Sequence, residues 1–303
     1  MKFNYDTAGC DHPTRPPGDD AERGRWQAVN RAWWEAAPMR YDWREELAAT
    51  PGTPAYFGEI DRRFLSSAKS FLPWQKIPFD TLIPFEDLRD RDVLELGVGH
   101  GTHAQLLSPH CRSFTGIDLT ATAARMTTER LRQSALPGRI LQMDGEALAF
   151  SNHSFDYVWS WGVVHHSADT PRVLSEIHRV LRPGGLCTVM VYYRSWWHYH
   201  VFGLLRGSLR GQWGNPHRLR CSGTDSTITR YYTLREWRAA THGLFEVASI
   251  RVYGLKSDIM PLPHGRFKDA VMQMMPDAAA RVLTSRLRMG SLLVAQMRKR
   301  DRV

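Results

Sequence analysis

Apolar residues near the start of the chain recur every three to four positions, the repeat of a helix. Trp26, Val29, Trp33 and Ala36/Ala37 fall on this spacing and predict a helix within residues 26–50. The run PGTPA (51–55) breaks it. Phe57, Ile60, Phe64 and Ala68 then share one face of a second helix, about 56–71. Five of the eleven tryptophans precede residue 75. The first 80 residues therefore read as an aromatic, mostly helical layer that needs another surface to pack on. Residues 1–25, rich in Pro, Gly and Asp, are expected to form a disordered tail.

From Arg91 the pattern changes. DVLEL (92–96), SFTGID (113–118), RILQM (139–143), FDYVWSW (155–161) and LCTVMVYY (186–193) are short apolar runs, and helical segments at about 121–134 and 171–181 separate some of them. RPGG (182–185) stops the second of these helices. Strands alternating with helices predict an α/β fold with a doubly wound, mostly parallel sheet. Strands at 245–254 and 290–299 bring the expected number to seven. Thr233, Glu236 and Gly243 bracket a capped helix before the first of these. Residues 194–230 and 255–289 interrupt the alternation as insertions after the fifth and sixth strands, the later one with a helix at about 277–287. The expected organisation is a tail (1–25), a helical extension (26–90) and an α/β domain (91–303).

Composition narrows the class. The chain of 303 residues is 43% hydrophobic and 23% charged, which is ordinary for a globular protein. No run of about 18 apolar residues is present to span a membrane. The N-terminus lacks an apolar signal core, and the four cysteines are far apart with no CxxC pair, so a reduced, cytoplasmic protein without a structural metal is expected. His198, His200 and His217 make no metal-ligand spacing with a cysteine pair. The net charge of +9 is concentrated after residue 193. That basic third suits an anionic partner, but only six of the 40 basic residues are lysine, and an arginine-rich composition is the favoured explanation of the excess.

The chemistry lies in VLELGVGHGTHAQLL (93–107), a strand, a glycine loop and a helix start. Gly97, Gly99 and Gly101 allow a tight turn and close approach of a ligand to the backbone. Asp118 ends the next strand, where a carboxylate can grip both hydroxyls of a ribose. Glu95, two residues before the first glycine, would repel a pyrophosphate but suits a ligand with an ammonium and a sulfonium. Here the sequence resembles the class I S-adenosylmethionine-dependent methyltransferases, in particular their small-molecule branch. The resemblance rests on Glu95, GxGxG, Asp118, Met143-Asp144-Gly145, Ser154-Phe155-Asp156, VVHH (163–166) and HRVLRPGG (178–185). It covers 91–193 closely and the two late strands loosely. It implies a Rossmann-like fold, S-adenosylmethionine as cofactor and S-adenosylhomocysteine as product, with Asp144 at the adenine amino group. Leu119, Met143, Gly145, Ser160 and Trp161 join the cofactor site by the same resemblance. His100 in the loop departs mildly from the small residues common there.

His165 and His166 follow the fourth strand at the edge where open α/β sheets place ligands. A histidine here in the small-molecule branch can serve as general base, and His165 is slightly preferred. The alternatives are a histidine that only braces the loop, or transfer by alignment with no base at all. Trp33, Trp34, Tyr41, Trp43, Tyr56 and Phe57 are candidates for the acceptor wall, and so are Tyr192 and Tyr193 at the end of the fifth strand. Arg62 and Arg63 suit an exposed helix face better than an acceptor site. The extension, with 194–230, is expected to fold over the ligand edge and close the acceptor pocket. The favoured function is methyl transfer to a small molecule, to oxygen first, then nitrogen or sulfur. The alternatives are a tRNA or rRNA methyltransferase using the basic third, or a non-catalytic subunit that binds S-adenosylmethionine. No Asn/Asp-Pro-Pro-Tyr/Phe run follows the fourth strand, which weighs against nucleic acid. Oligomeric state is left open by the sequence.

Overall fold

The computed structural model describes residues 10, 12–42, 45–209, 217, 226–262 and 265–300. Its centre is a sheet of β1 (Asp92–Leu96), β2 (Ser113–Asp118), β3 (Arg139–Gln142), β4 (Phe155–Trp161), β5 (Leu181–Tyr193), β6 (Tyr231–Tyr232), β7 (Phe245–Tyr253) and β8 (Leu292–Lys299). The order is β3-β2-β1-β4-β5-β8-β7, and the two-residue β6 pairs with β5. All pairs are parallel except those of β8, which runs antiparallel to β5 and β7. This is the expected seven-stranded pattern with one short strand added. Order reverses between β1 and β4, so a crevice opens beyond their C-terminal ends.

The central strands are apolar because both faces are covered. On one face Leu94, Leu96 and Val158 pack with Val173, Leu174 and Ile177 of α5 (Thr170–Val180). On the other, Val93, Tyr157 and Trp159 pack with Leu107 of α3 (Thr102–Leu107), Leu131 of α4 (Ala121–Gln133) and residues of the N-terminal extension. The LRPG stretch is already part of β5: Leu181 pairs with Phe155 across a register shift, so helix α5 stops one residue earlier than expected.

The extension holds two helices, α1 (Asp20–Ala36) and α2 (Pro54–Phe71). Asp19 caps α1 by accepting from the Glu22 N–H at 2.7 Å, so the helix begins inside the stretch expected to be disordered. It ends at Ala36, well short of residue 50, because Pro38 disfavours helix in the residue before it. Thr53 caps α2, and Pro54 starts it. The predicted face of α2 is buried: Phe57, Ile60, Phe64 and Ala68, with Tyr56 and Phe71 added. At about 1.5–3 kcal/mol for each large apolar side chain withdrawn from water, this face holds α2 to the domain. A charge cluster reinforces the contact. Arg130 of α4, only 1% exposed, donates to the Asp61 carboxylate of α2, to Gln105 Oε1 at 2.6 Å and to the His100 carbonyl at 3.0 Å. Thr102 Oγ1 donates to the same carboxylate at 2.7 Å.

After β5 come a π-helical turn (Trp196–Val201) and α6 (Phe202–Leu209). Much of the first expected insertion, 210–216 and 218–225, lies outside the described residues. Helix α7 (Leu234–Thr241) carries the predicted capping box of Thr233 and Glu236. Among the described residues no helix is long and apolar enough to cross a membrane.

Candidate functional site

The glycine loop leaves β1 in left-handed backbone, with φ of 78° at Gly97, 53° at Gly99 and 78° at Gly101. The three glycines differ in purpose. A Cβ on Gly97 would stand 2.1 Å from Val163, and one on Gly101 would stand 2.9 Å from Thr127, so both permit close packing. A Cβ on Gly99 would meet nothing within 4 Å. Gly99 opens onto a cavity with room beside its Cα, and its N–H donates to Asp118 Oδ2 at 3.1 Å. Asp118 also accepts from the Thr120 N–H at 3.0 Å and the Thr120 hydroxyl at 2.7 Å. Burial raises its carboxyl, and these three bonds oppose the rise.

Glu95 is 1% exposed and sits behind the cavity wall. Its Oε2 has no hydrogen-bond partner among the described residues, and the His103 ring stands 3.9 Å from Oε1. Burial, and then the nearby Asp118 charge, push its carboxyl well above the carboxylate range. A cation placed beside it would relieve that penalty. Asp144, beyond β3, accepts from Gln27 Nε2 of α1 at 2.8 Å and from the Glu146 N–H at 2.8 Å.

The cavity has a volume of about 330 Å³. Of the residues expected at the site, Gly97, Gly99, Asp118, Leu119, Met143, Asp144, Gly145, Trp161, His166, Trp34, Tyr41 and Tyr192 line it. Apolar side chains complete much of the wall, among them Met39, Ile60, Phe64, Phe71, Met190 and Leu292. Glu95, Gly101, Ser160, His165, Trp33, Tyr56, Phe57 and Tyr193 do not reach its surface. Ser160 is fully buried with its hydroxyl 3.4 Å from the Leu96 carbonyl, and Tyr193 belongs to the core beneath the sheet. Phe57 lies under the Arg130 guanidinium, 5.3 Å away. Trp43 lies outside the described residues. None of the described residues in 194–230 lines the cavity, although that segment is expected from the sequence to share its wall.

The two histidines separate cleanly. His165 is fully buried between His166 and Tyr192, with ring centroids 4.0 Å from each, and neither ring nitrogen has a hydrogen-bond partner among the described residues. His166 lines the cavity. Its Nδ1 is 2.7 Å from the Ile228 carbonyl, which can only accept, so Nδ1 carries the hydrogen and the neutral ring keeps its lone pair on Nε2. Burial lowers the ring to about 4. Trp34 of α1 meets it edge-on at 5.2 Å. The slight preference for His165 is thus reversed on placement.

Sequence reasoning passed over the polar face of α1. Gln27 and Asn30 are buried and line the cavity, and Glu35 caps α4, accepting from the Ala121 N–H at 2.9 Å and the Thr122 N–H at 3.0 Å. The spacing of three between Gln27 and Asn30 carried the signal, hidden by the tryptophans around it. His100 has a structural explanation. Its Nδ1 donates to the Met39 carbonyl at 2.9 Å, and its Nε2 accepts from the Tyr56 hydroxyl at 3.0 Å. The glycine loop is therefore fastened to the extension through the residue that departs from the small-residue pattern. Among the described residues no group of three His, Cys, Asp or Glu side chains could hold a metal ion.

Comparison with known proteins agrees with this geometry. Residues 94–189 match the family described as "Methyltransferase domain". Phthiotriol/phenolphthiotriol dimycocerosates methyltransferase of Mycobacterium leprae is 38% identical over 102 residues, which is 33% of this chain and 37% of that protein. The tRNA U34 carboxymethyltransferase of Methylococcus capsulatus is 26% identical over 189 residues, 55% of this chain and 58% of that one. The chain thus spans little more than a third of the first curated relatives it matches. The crystal structure of the YcgJ protein of Bacillus subtilis superposes with a TM-score of 0.50 at 19% identity, covering 74% of this chain and 98% of that one, which shows a shared fold.

Proposed function

We propose that residues 94–189, which match the methyltransferase-domain family, form a class I S-adenosylmethionine-dependent methyltransferase, and that the whole chain methylates an apolar small molecule, on oxygen first and otherwise on nitrogen or sulfur. The observation that carries the reading is the pairing of Asp118 with Gly99 on the cavity wall. One presents a carboxylate, and the other opens the loop where a ligand needs room. These features fit a nucleoside whose ribose would bond Asp118, with the partly unpaired carboxyl of Glu95 behind the wall favouring a cationic ligand. Asp144 is placed for an adenine amino group. The bound cofactor supplies an electrophilic methyl group on a sulfonium.

The chain's own residues would then do three things. The apolar side of the cavity holds the acceptor and keeps water out, so alignment does much of the work. His166 Nε2 takes the proton that the acceptor oxygen loses. Trp34, Tyr41 and the inner face of α2 form the roof over the acceptor. An oxygen acceptor is supported by the M. leprae relative, whose name gives phthiotriol and phenolphthiotriol dimycocerosates as its substrates. The basic C-terminal third and the M. capsulatus relative favour a second reading, a tRNA acceptor. The test is calorimetry with S-adenosylhomocysteine, followed by assays of S-adenosylhomocysteine release from S-adenosylmethionine with apolar alcohols and phenols and, in parallel, with tRNA. Saturable nucleoside binding and turnover with the alcohols support the proposal. No nucleoside binding ends it, and turnover with tRNA alone transfers it to the second reading.

A further inference from the structure

Among the described residues no arginine lines the cavity, yet a second groove of about 430 Å³ is lined by Arg238, Arg251, Arg286 and Arg288 and by no described carboxylate. Three elements bring these side chains together. Helix α7 contributes Arg238, one turn after Leu234, so both lie on one face. Strand β7 contributes Arg251 and Tyr253, which alternate onto the same side. The turn Val282–Arg286 and the residues after it contribute Arg286 and Arg288. All four arginines are exposed, and none pairs with a carboxylate among the described residues. Arg288 also has a left-handed φ of 54° where the turn closes, with Met289 N–H donating to the Leu283 carbonyl and Gly290 N–H to that of Thr284. Glycine is the usual residue at such a closure, so the chain holds a long cation where backbone preference opposes it.

Four like charges around one concavity repel each other unless an anion of several charges lies among them. Guanidinium forks match phosphate oxygens two at a time. Leu234 and Tyr253 give the groove an apolar portion for an organic remainder. We propose that this groove is a phosphate-binding site for a phosphorylated ligand, either a soluble phosphoester or a lipid headgroup. Its place in the sheet ties it to the cavity. Tyr192 pairs with Leu292, and Leu292 with Tyr253. The first two line the cavity and the third lines the groove, one strand farther along the same edge, about 5 Å away. The site stands on its own observations and does not depend on the methyltransferase reading.

The experiment titrates the full chain with sodium pyrophosphate by calorimetry at constant ionic strength and measures co-flotation with phosphatidylglycerol vesicles. Saturable pyrophosphate binding is expected. It should weaken at least about tenfold in Arg251→Gln/Arg288→Gly and also in the single variant Arg286→Gln. It should be unchanged in Arg235→Gln, an exposed arginine outside the groove. Vesicle binding lost in the double variant assigns the phosphate to a lipid, and pyrophosphate binding without vesicle binding assigns it to a soluble ligand. Equal affinity in wild type and double variant overturns the site. So does tRNA binding that the double variant loses while pyrophosphate does not bind, which makes the patch a nucleic-acid surface. S-adenosylhomocysteine affinity is read in the same proteins. Its absence in wild type would count against the methyltransferase reading alone.

Discussion

His165 and His166 are adjacent in sequence and fully distinct in chemistry, because one ring is closed off and the other faces the cavity with a fixed tautomer. His166→Ala should lower turnover by about 10²–10⁴-fold with S-adenosylhomocysteine affinity unchanged, as stopped-time assays and calorimetry would show. Turnover within about threefold of wild type would leave alignment alone as the mechanism. Because burial holds the ring near about 4, the lone pair persists through neutral pH, and this group should impose no rate change between about pH 6 and pH 8. The same shift has a stability consequence of definite sign. The unfolded ring takes up its proton near about 6.5, while the folded ring resists until about 4. Wild type should therefore lose stability relative to His166→Ala as pH falls through that window, by at most about 1.4 kcal/mol per pH unit. Urea unfolding of both proteins at about pH 7 and pH 5 measures it. Asp118 gives the second residue-scale prediction. Asp118→Ala should cost about 2–3 kcal/mol of nucleoside affinity, read by calorimetry on a folded variant. Unchanged affinity would remove the ribose assignment. Glycine positions and acidic strand ends were readable from sequence because backbone sterics and strand periodicity restrict what can stand there. Which of two neighbouring histidines faces a cavity depends on the twist of a short 3-10 turn, and no local pattern encodes that.

At the scale of elements, legibility follows the source of stability. The strands and α2 are held by apolar burial, so their periodicity announced them: the predicted face of α2 is the buried one. Helix α1 is different. Its buried residues are Trp26, Gln27 and Asn30, two of them polar, and its capping aspartate sits in a stretch whose composition reads as disordered. Its true extent was hidden because its buried face is made for hydrogen bonds. The joint between α2 and the domain is likewise polar at its centre. Asp61 and Arg130 are 69 residues apart in different elements, so sequence gave no cue to the pair. Removing the carboxylate strands a guanidinium that is 1% exposed. Asp61→Ala should cost about 3 kcal/mol or more in urea unfolding, while Arg62→Ala, which loses only a surface pair with Glu59, should cost under about 1 kcal/mol. Equal costs for the two variants would mean that Gln105 and the His100 carbonyl already satisfy Arg130 without Asp61.

Across the whole molecule, the two N-terminal helices both line the cavity but are held in different ways. Helix α2 places Phe64, Ala68 and Phe71 in the main core, so it opens only when that core does. Helix α1 has a small apolar cluster of its own, in which Trp26 meets Cys10, Ala168 and Ile228. Beyond that cluster and the edge-on contact of Trp34 with His166, its attachments are polar: Gln27 to Asp144, Glu35 to the start of α4, Arg23 to Glu146 and Asp20 to Arg172. Water can take the place of each, at about 1.5–3 kcal/mol for a hydrogen bond to a charged group, which is less in sum than burying the apolar face of α2. The residues α1 holds include the third-strand aspartate and the helix that follows Asp118, so the helix that opens most easily is the one lying against the expected nucleoside positions. Access by opening of α1, with α2 fixed, follows from that difference. Hydrogen exchange should show the α1 amides exchanging faster than those of α2 in the free protein. Adding S-adenosylhomocysteine should slow α1 by about tenfold or more and leave α2 unchanged. Gln27→Ala should speed exchange in α1 alone and weaken nucleoside binding by about 1 kcal/mol. If α1 is already as protected as α2 without ligand, or if ligand protects α2 instead, the entry route lies elsewhere and α1 is a fixed wall.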